Sequence, residues 1–135
     1  MTTDSRHAGE PALPWRSGRT FRLWRYGVGH SQLLLRSPGD GGRDTLAVLF
    51  EAVEFMRLRR SYADLVLRLA TEDEEFGFEE TTPVPIPRLR LALESPQGTG
   101  LVVCSRVTAR KVANPEDDGW ADGTVLFWLV AGRLA

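Results

Sequence analysis

A histidine and a serine stand side by side at His30-Ser31, close to Gly27, Gly29, Trp24 and Tyr26. Residues of these types could supply a nucleophile and its base, but their spacing argues against it. A nucleophile elbow sets serine between glycines on a strand-to-helix turn, which Gly29-His30-Ser31-Gln32 does not provide. Neighbouring residues on a strand also point to opposite faces, so His30 could not serve Ser31. A histidine hydrogen-bonded to a turn is the better reading. No other pair of acid, base or nucleophile residues converges, and the chain reads as a non-enzyme.

Metal and cofactor chemistry fare no better. There are only two histidines, His7 and His30, and His7 falls in an N-terminal segment with little to bury. The acidic run from Glu72 to Glu80 lacks the alternating ligands and central glycine of a calcium loop. Asp117, Asp118 and Asp122 read as a solvated acidic loop. Gly39-Asp40-Gly41-Gly42-Arg43 has glycines but no following Lys-Ser/Thr and no helix to cradle a phosphate. Cys104 is the only cysteine, which excludes an intrachain disulfide and a cysteine metal cluster. Set in Leu101-Val102-Val103-Cys104-Ser105, it reads as a buried, inert thiol. The expectation is therefore no catalytic residue, no metal and no cofactor.

Binding is what remains. Arg16, Arg19, Arg22 and Arg25 interleave with Trp15, Phe21, Trp24 and Tyr26, the residue types that grip single-stranded nucleic acid on a small β-barrel. Strict alternation would put Arg22 and Arg25 on opposite faces, and the acidic loops oppose a polyanion. A net charge of −1 gives no general attraction to nucleic acid or to an anionic membrane. Lys111 is the only lysine, Ile86 the only isoleucine and Asn114 the only asparagine, so a GC-rich genome explains the arginines as well as phosphate recognition does. The residues chosen as a ligand or partner surface are Trp24, Tyr26, His30 and Arg36.

The elements that must carry them read as strands. Residues 1–18, with Pro11, Pro14, Gly9 and Gly18, are expected as a mobile tail whose Trp15 docks onto a single β domain of residues 19–135. Phe21, Leu23 and Arg25 alternate with Arg22, Trp24 and Tyr26, and Leu33 to Arg36 follows as the next strand. Thr45 to Leu58 fits a helix, with Leu46, Leu49, Phe50, Val53 and Met56 on one face. It also fits a strand whose phase slips near Glu51-Ala52, as at a bulge. Leu65 to Ala70 is a short strand. Thr71 to Pro87 is a loop of repelling carboxylates and three prolines. Leu89, Leu91 and Leu93 alternate with Arg88, Arg90 and Glu94, as in a strand with one wet face, and Val107 and Ala109 alternate with Arg106, Thr108 and Arg110. Asn114 to Gly123 is another acidic loop. Val125 to Val130 is apolar on both faces.

A short pattern occurs twice. Leu33-Leu34-Leu35-Arg36-Ser37-Pro38 with its glycine-rich tip lines up with Leu91-Ala92-Leu93-Glu94-Ser95-Pro96, and Tyr62-Ala63-Asp64 with Trp120-Ala121-Asp122. The valine-rich segment Leu101 to Val112 reads as a strand, so its counterpart at 45–58 should be one too. The sum is an all-β domain: an antiparallel barrel or two-sheet sandwich of about seven or eight strands, pseudo-two-fold if the repeat is structural.

The stretch Phe21-Arg22-Leu23-Trp24-Arg25-Tyr26, followed by His30-Ser31-Gln32-Leu33-Leu34-Leu35-Arg36-Ser37, resembles small uncharacterised bacterial proteins. They share Trp-x-Tyr, then His, then Leu-Leu-Arg-Ser. The resemblance covers residues 21–37, assigns no role to them, and implies a stand-alone intracellular domain. No leader is visible and no apolar run approaches the roughly 18 residues of a membrane span, so a cytoplasmic location is expected. The function expected is that of a protein-interaction module. The rivals are a small-molecule binder using a barrel interior and a single-stranded nucleic-acid binder using the N-terminal Arg and aromatic residues. Leu126, Trp128 and Val130, sharing one face, suggest a homodimer or cover by the tail.

Overall fold

A computed structural model describes residues 13–39, 42–75, 87–113 and 123–131. The strands are β1 (Trp15–Arg16), β2 (Phe21–Gly27), β3 (Gln32–Ser37), β4 (Leu46–Glu51), β5 (Phe55–Arg57) and β6 (Ser61–Tyr62). They continue with β7 (Val66–Leu69), β8 (Leu89–Ser95), β9 (Gly98–Cys104), β10 (Arg106–Val112) and β11 (Gly123–Val130). Only single 3-10 turns, Val28–His30 and Glu72–Glu75, interrupt them among the described residues. One sheet runs β1-β7-β8-β9-β5 and the other β11-β10-β4-β3-β2-β6. Every pairing is antiparallel. The two sheets face each other as a sandwich. Among the described residues eight strands are four residues or longer, and β1, β5 and β6 add three short ones to the seven or eight expected.

Residues 45–58 are strand rather than helix, and the phase slip at Glu51-Ala52 is a change of sheet rather than a bulge. Ala52 takes a left-handed backbone (φ 55°), and the chain passes from β4 in the six-stranded sheet to β5 in the other. The segment Leu101 to Val112, read as one strand, makes the opposite crossing at Ser105. The two crossings lie side by side and bond to each other: Glu54 N donates to Val103 O (2.8 Å) and Ser105 N to Glu51 O (3.0 Å).

The strand order has a two-fold regularity. Exchanging β1–β5 with β6–β10 turns β1-β7-β8-β9-β5 into β6-β2-β3-β4-β10, the order of the other sheet without β11. Register follows the same exchange: the row Leu33, Phe50, Val107 corresponds to Leu91, Val102, Met56. Ser37 and Ser95 close corresponding strands, β3 and β8. The later part of the doubled pattern does not follow. Tyr62-Ala63-Asp64 leads into β7, between β1 and β8, whereas β11 sits at an edge beyond β10, and 120–122 lie outside the described residues.

Alternation builds the core. Leu33 and Leu35, Val48 and Phe50, Leu91 and Leu93, Val102 and Cys104, and Val107 and Ala109 all point between the sheets. Trp15, assigned from sequence to the end of a tail, forms β1 against β7 and packs edge-on against Phe21 (5.9 Å) and Phe127 (5.3 Å). Residues 1–12 lie outside the described residues. Aromatic burial of this size is what holds a two-residue strand in place. Burial pushes the Cys104 thiol up to about 12, the inert state its setting predicts.

Alternation fails once in β11. The ladder with β10 shifts at Ala109/Arg110, where Phe127 pairs with Ala109 and Val125 with Arg110. Leu126 therefore joins the core side instead of sharing a face with Trp128 and Val130, and the trio expected from the sequence is broken. Bulges of this kind rotate one residue across the sheet.

On the five-stranded sheet Arg68 organises the start of the acidic loop. Its Nη1 and Nη2 donate to Glu74 Oε1 and Oε2 (2.8 and 2.6 Å), and its Nε to Glu94 Oε1 (3.1 Å). Thr71 N also donates to Glu74 Oε1 (2.9 Å). The Arg68 guanidinium first, then the Thr71 amide, hold the Glu74 carboxyl down to about 2, below its ordinary 4.5. Because the folded value is depressed, the stabilisation is complete above pH 4.5 and is lost as pH falls towards 2. For a partly exposed pair it amounts to about 1 kcal/mol. Denaturant titrations at pH 7 and pH 2 should show the wild type losing most of that in addition to what Glu74→Gln loses. An equal loss in both proteins would remove the pair from the acid response.

Candidate partner-binding face

The candidate site lies on the outer face of the six-stranded sheet, and a bulge in β2 makes it. Arg22 pairs with Arg36 and Leu23 with Leu35, but Arg25, not Trp24, pairs with Leu34. Leu35 belongs to the core, while Leu34 belongs to a second buried cluster with Ala47, Leu49 and Val112 on the outer side. The extra residue thus returns Arg22 and Arg25 to one face, which strict alternation would have separated.

Two rows cross this face. Arg22, Arg36, Ala47, Arg110 and Val125 form one, and Arg25, Leu34, Leu49, Thr108 and Trp128 the other. The middle of each row is buried, with Leu34, Ala47 and Leu49 only 1–2% exposed and Thr108 4%. Arg36, only 4% exposed, lays its guanidinium over the Trp24 ring at 4.9 Å, while Trp24 itself stays 43% exposed. A cation held on an indole in this way is an attractive and orienting contact. At the far margin Arg106 covers Trp128 at 5.1 Å.

Beside Trp24 is a depression of about 150 Å³ lined by Trp24, Arg36, Pro38, Gly39 and Thr45. Its rim is fastened from below. Gly39 N donates to Thr45 Oγ1 (3.0 Å), and Arg19 Nη2 donates to Ser37 O (3.2 Å) and Asp44 O (2.6 Å). A drug-sized ligand needs roughly 300–1,000 Å³. The depression suits one side chain or one small group.

Of the four residues chosen from sequence, the structure brings two together, Trp24 and Arg36. Tyr26 is half-buried and packs against the core, so it faces the other way. His30 is exposed on the turn Val28–His30, beyond the far end of β2. Arg22 and Arg25 were visible as residue types, but their shared face was not, because a bulge leaves no local mark where every residue is large. Arg106 and Arg110 were visible as the residues that alternate with Val107 and Ala109 in β10.

Among the described residues no group of three or more His, Cys, Asp or Glu could hold a metal ion. His7, Asp117, Asp118 and Asp122 lie outside them. Nor is any described helix long and apolar enough to cross a membrane. No protein-family model matches the chain, and comparisons with curated proteins and with solved structures give no match.

Proposed function

We propose that this chain is a non-enzymatic binding module whose contact surface is the outer face of the six-stranded sheet around Trp24, and that its partner is a protein segment bearing carboxylates. The observation that carries this is the β2 bulge, which sets Arg22, Trp24, Arg25 and Arg36 on one face. Exposed arginines beside an exposed indole are the residues that dominate protein interfaces. With a net charge of −1 the molecule exerts no long-range pull on a polyanion, which favours discrete carboxylates over a phosphate backbone.

The same bulge favours a second reading. With Arg22 and Arg25 on one side of Trp24, a base could stack on the indole while the guanidiniums meet phosphates. A binder using the interior has less support, since the sheets do not close into a barrel and Phe50, Leu91, Val102 and their neighbours fill the space between them. The cytoplasmic, bacterial setting belongs to this proposal as well, resting on the sequence resemblance of residues 21–37. So does the origin of the chain in two copies of one five-strand unit, supported by the matched order and register.

Fluorescence anisotropy separates the readings, with a labelled peptide alternating Asp and Leu and a labelled oligothymidine as probes. The peptide should bind, and Trp24→Ala or Arg25→Glu should weaken it at least tenfold, about 1.4 kcal/mol. Peptide affinity unchanged in both variants would refute the face. Tighter oligothymidine binding, falling steeply with salt and lost in Trp24→Ala, would hand the face to nucleic acid.

A further inference from the structure

We propose that β11 is a self-pairing edge, and that two copies of this chain join β11 to β11 antiparallel into one continuous sheet. Among the described residues the sandwich has four sheet edges. Three end in β1, β5 and β6, which are two, three and two residues long, and brevity is a standard protection of an edge. The fourth ends in β11, eight residues from Gly123 to Val130. Gly-Thr-Val-Leu-Phe-Trp-Leu-Val contains no lysine, arginine, carboxylate or proline, so of the usual guards against pairing it carries only the bulge at Leu126.

Its composition belongs to the middle of a sheet. The other strands apolar on both faces are β4 and β9, and each is flanked by strands on both sides. β11 has their composition in an edge position. Its side chains stay unfinished there: Val125 is exposed, and Trp128 and Val130 are half-covered on the outer face. Leu126, Leu129 and Ala131 are half-covered at the margin of the core. β11 is also the strand left over by the two-fold order, so no other described strand mirrors it.

A second copy is the occupant that fits. A partner strand must be apolar on both faces over the six residues Val125 to Val130, and β11 supplies that itself. Antiparallel pairing about a two-fold axis also consumes both long edges at once. Among the described residues the remaining edge strands are two or three residues long, and the part of β2 that extends past β6 carries a bulge and Arg25. Growth therefore stops at the dimer rather than continuing into a fibre. This does not depend on which partner the Trp24 face takes.

The test uses the full chain at micromolar and higher concentrations. Light scattering after size exclusion should give twice the chain mass, and Val125→Lys with Trp128→Lys should return it to one. Should that variant fail to fold, the single Val125→Lys and the wild type still decide. Hydrogen exchange of wild-type β11 amides should slow with concentration, from edge-like rates to those of β4 and β9. A monomer at every concentration overturns the proposal, whether its β11 amides exchange freely or are protected by its own chain. So does a dimer whose β11 exchange does not change on association.

Discussion

Replacing Gly100 with alanine is expected to destabilise the domain by about 3 kcal/mol, more than any surface substitution here. Gly100 sits in β9 opposite Leu93, just as Val48 sits in β4 opposite Leu35. The side chain permitted at Val48 is forbidden at Gly100 because Tyr62 is folded over it. A Cβ there would collide with the Tyr62 hydroxyl and come within 2.9 Å of the Arg57 carbonyl oxygen. Tyr62 cannot retreat cheaply. It is fully buried, and its hydroxyl accepts the Arg59 backbone N–H at 2.7 Å. Overpacking costs roughly 1–3 kcal/mol and a stranded buried hydrogen-bonding group about as much again. The melting temperature should fall by on the order of 10 °C. Tyr62→Phe removes the colliding oxygen, so the double variant should lose distinctly less than the sum of the singles. Gly29→Ala, where a Cβ meets nothing within 4 Å, is the control and should be close to neutral. Simple additivity at positions 62 and 100 would show that the tyrosine is not what excludes the side chain.

The reach of the sequence can be judged from particular residues. Which way Leu89, Leu91 and Leu93 face, or Val107 and Ala109, follows from alternation alone and agrees with the core. Trp15 stood out as an aromatic residue in a polar segment, and it anchors β1. Sheet crossings and bulges were the hidden part. A slip in a period of two looks the same whether the strand bulges, as at Trp24 and Leu126, or leaves for the other sheet, as at Ala52 and Ser105. Only the identity of the partner strand separates the cases, and partners lie many residues away. The same blindness affected the site. Trp24 and Arg36 could be named from their types, but their contact and the shared face of Arg22 and Arg25 depend on the bulge. In the acidic loop, counting carboxylates suggested repulsion throughout, yet Arg68 captures Glu74 from a neighbouring strand.

Cutting the chain between Arg59 and Arg60, in the link between β5 and β6, should give two fragments that are unfolded apart and folded together. The exchange of strands between the sheets is the reason. Residues 1–59 contain β2, β3 and β4, a complete meander, but the strands that should hold its ends belong elsewhere. β1 pairs with β7 and β5 with β9, both in residues 60–135. In return β6 pairs with β2 and β10 with β4. Alone, the first fragment would present Leu33, Leu35, Val48 and Phe50 to water with no facing sheet, and a single open layer is not a stable domain. Backbone bonds cross the cut in both directions: Ser17 N to Leu65 O, Leu65 N to Arg19 O, Glu54 N to Val103 O and Ser105 N to Glu51 O. Circular dichroism should show each fragment disordered and an equimolar mixture recovering the strand signal with one-to-one stoichiometry. A native-like, monomeric fold in either fragment by itself would disprove the exchanged-strand account. The matched rows Leu33-Phe50-Val107 and Leu91-Val102-Met56 add a sharper expectation. At high concentration residues 1–59 should pair with themselves, more weakly than with residues 60–135, because a second copy can offer β2, β3 and β4 where β7, β8 and β9 belong. What it cannot offer is Tyr62 over Gly100, and that missing contact sets the preference for the natural pair.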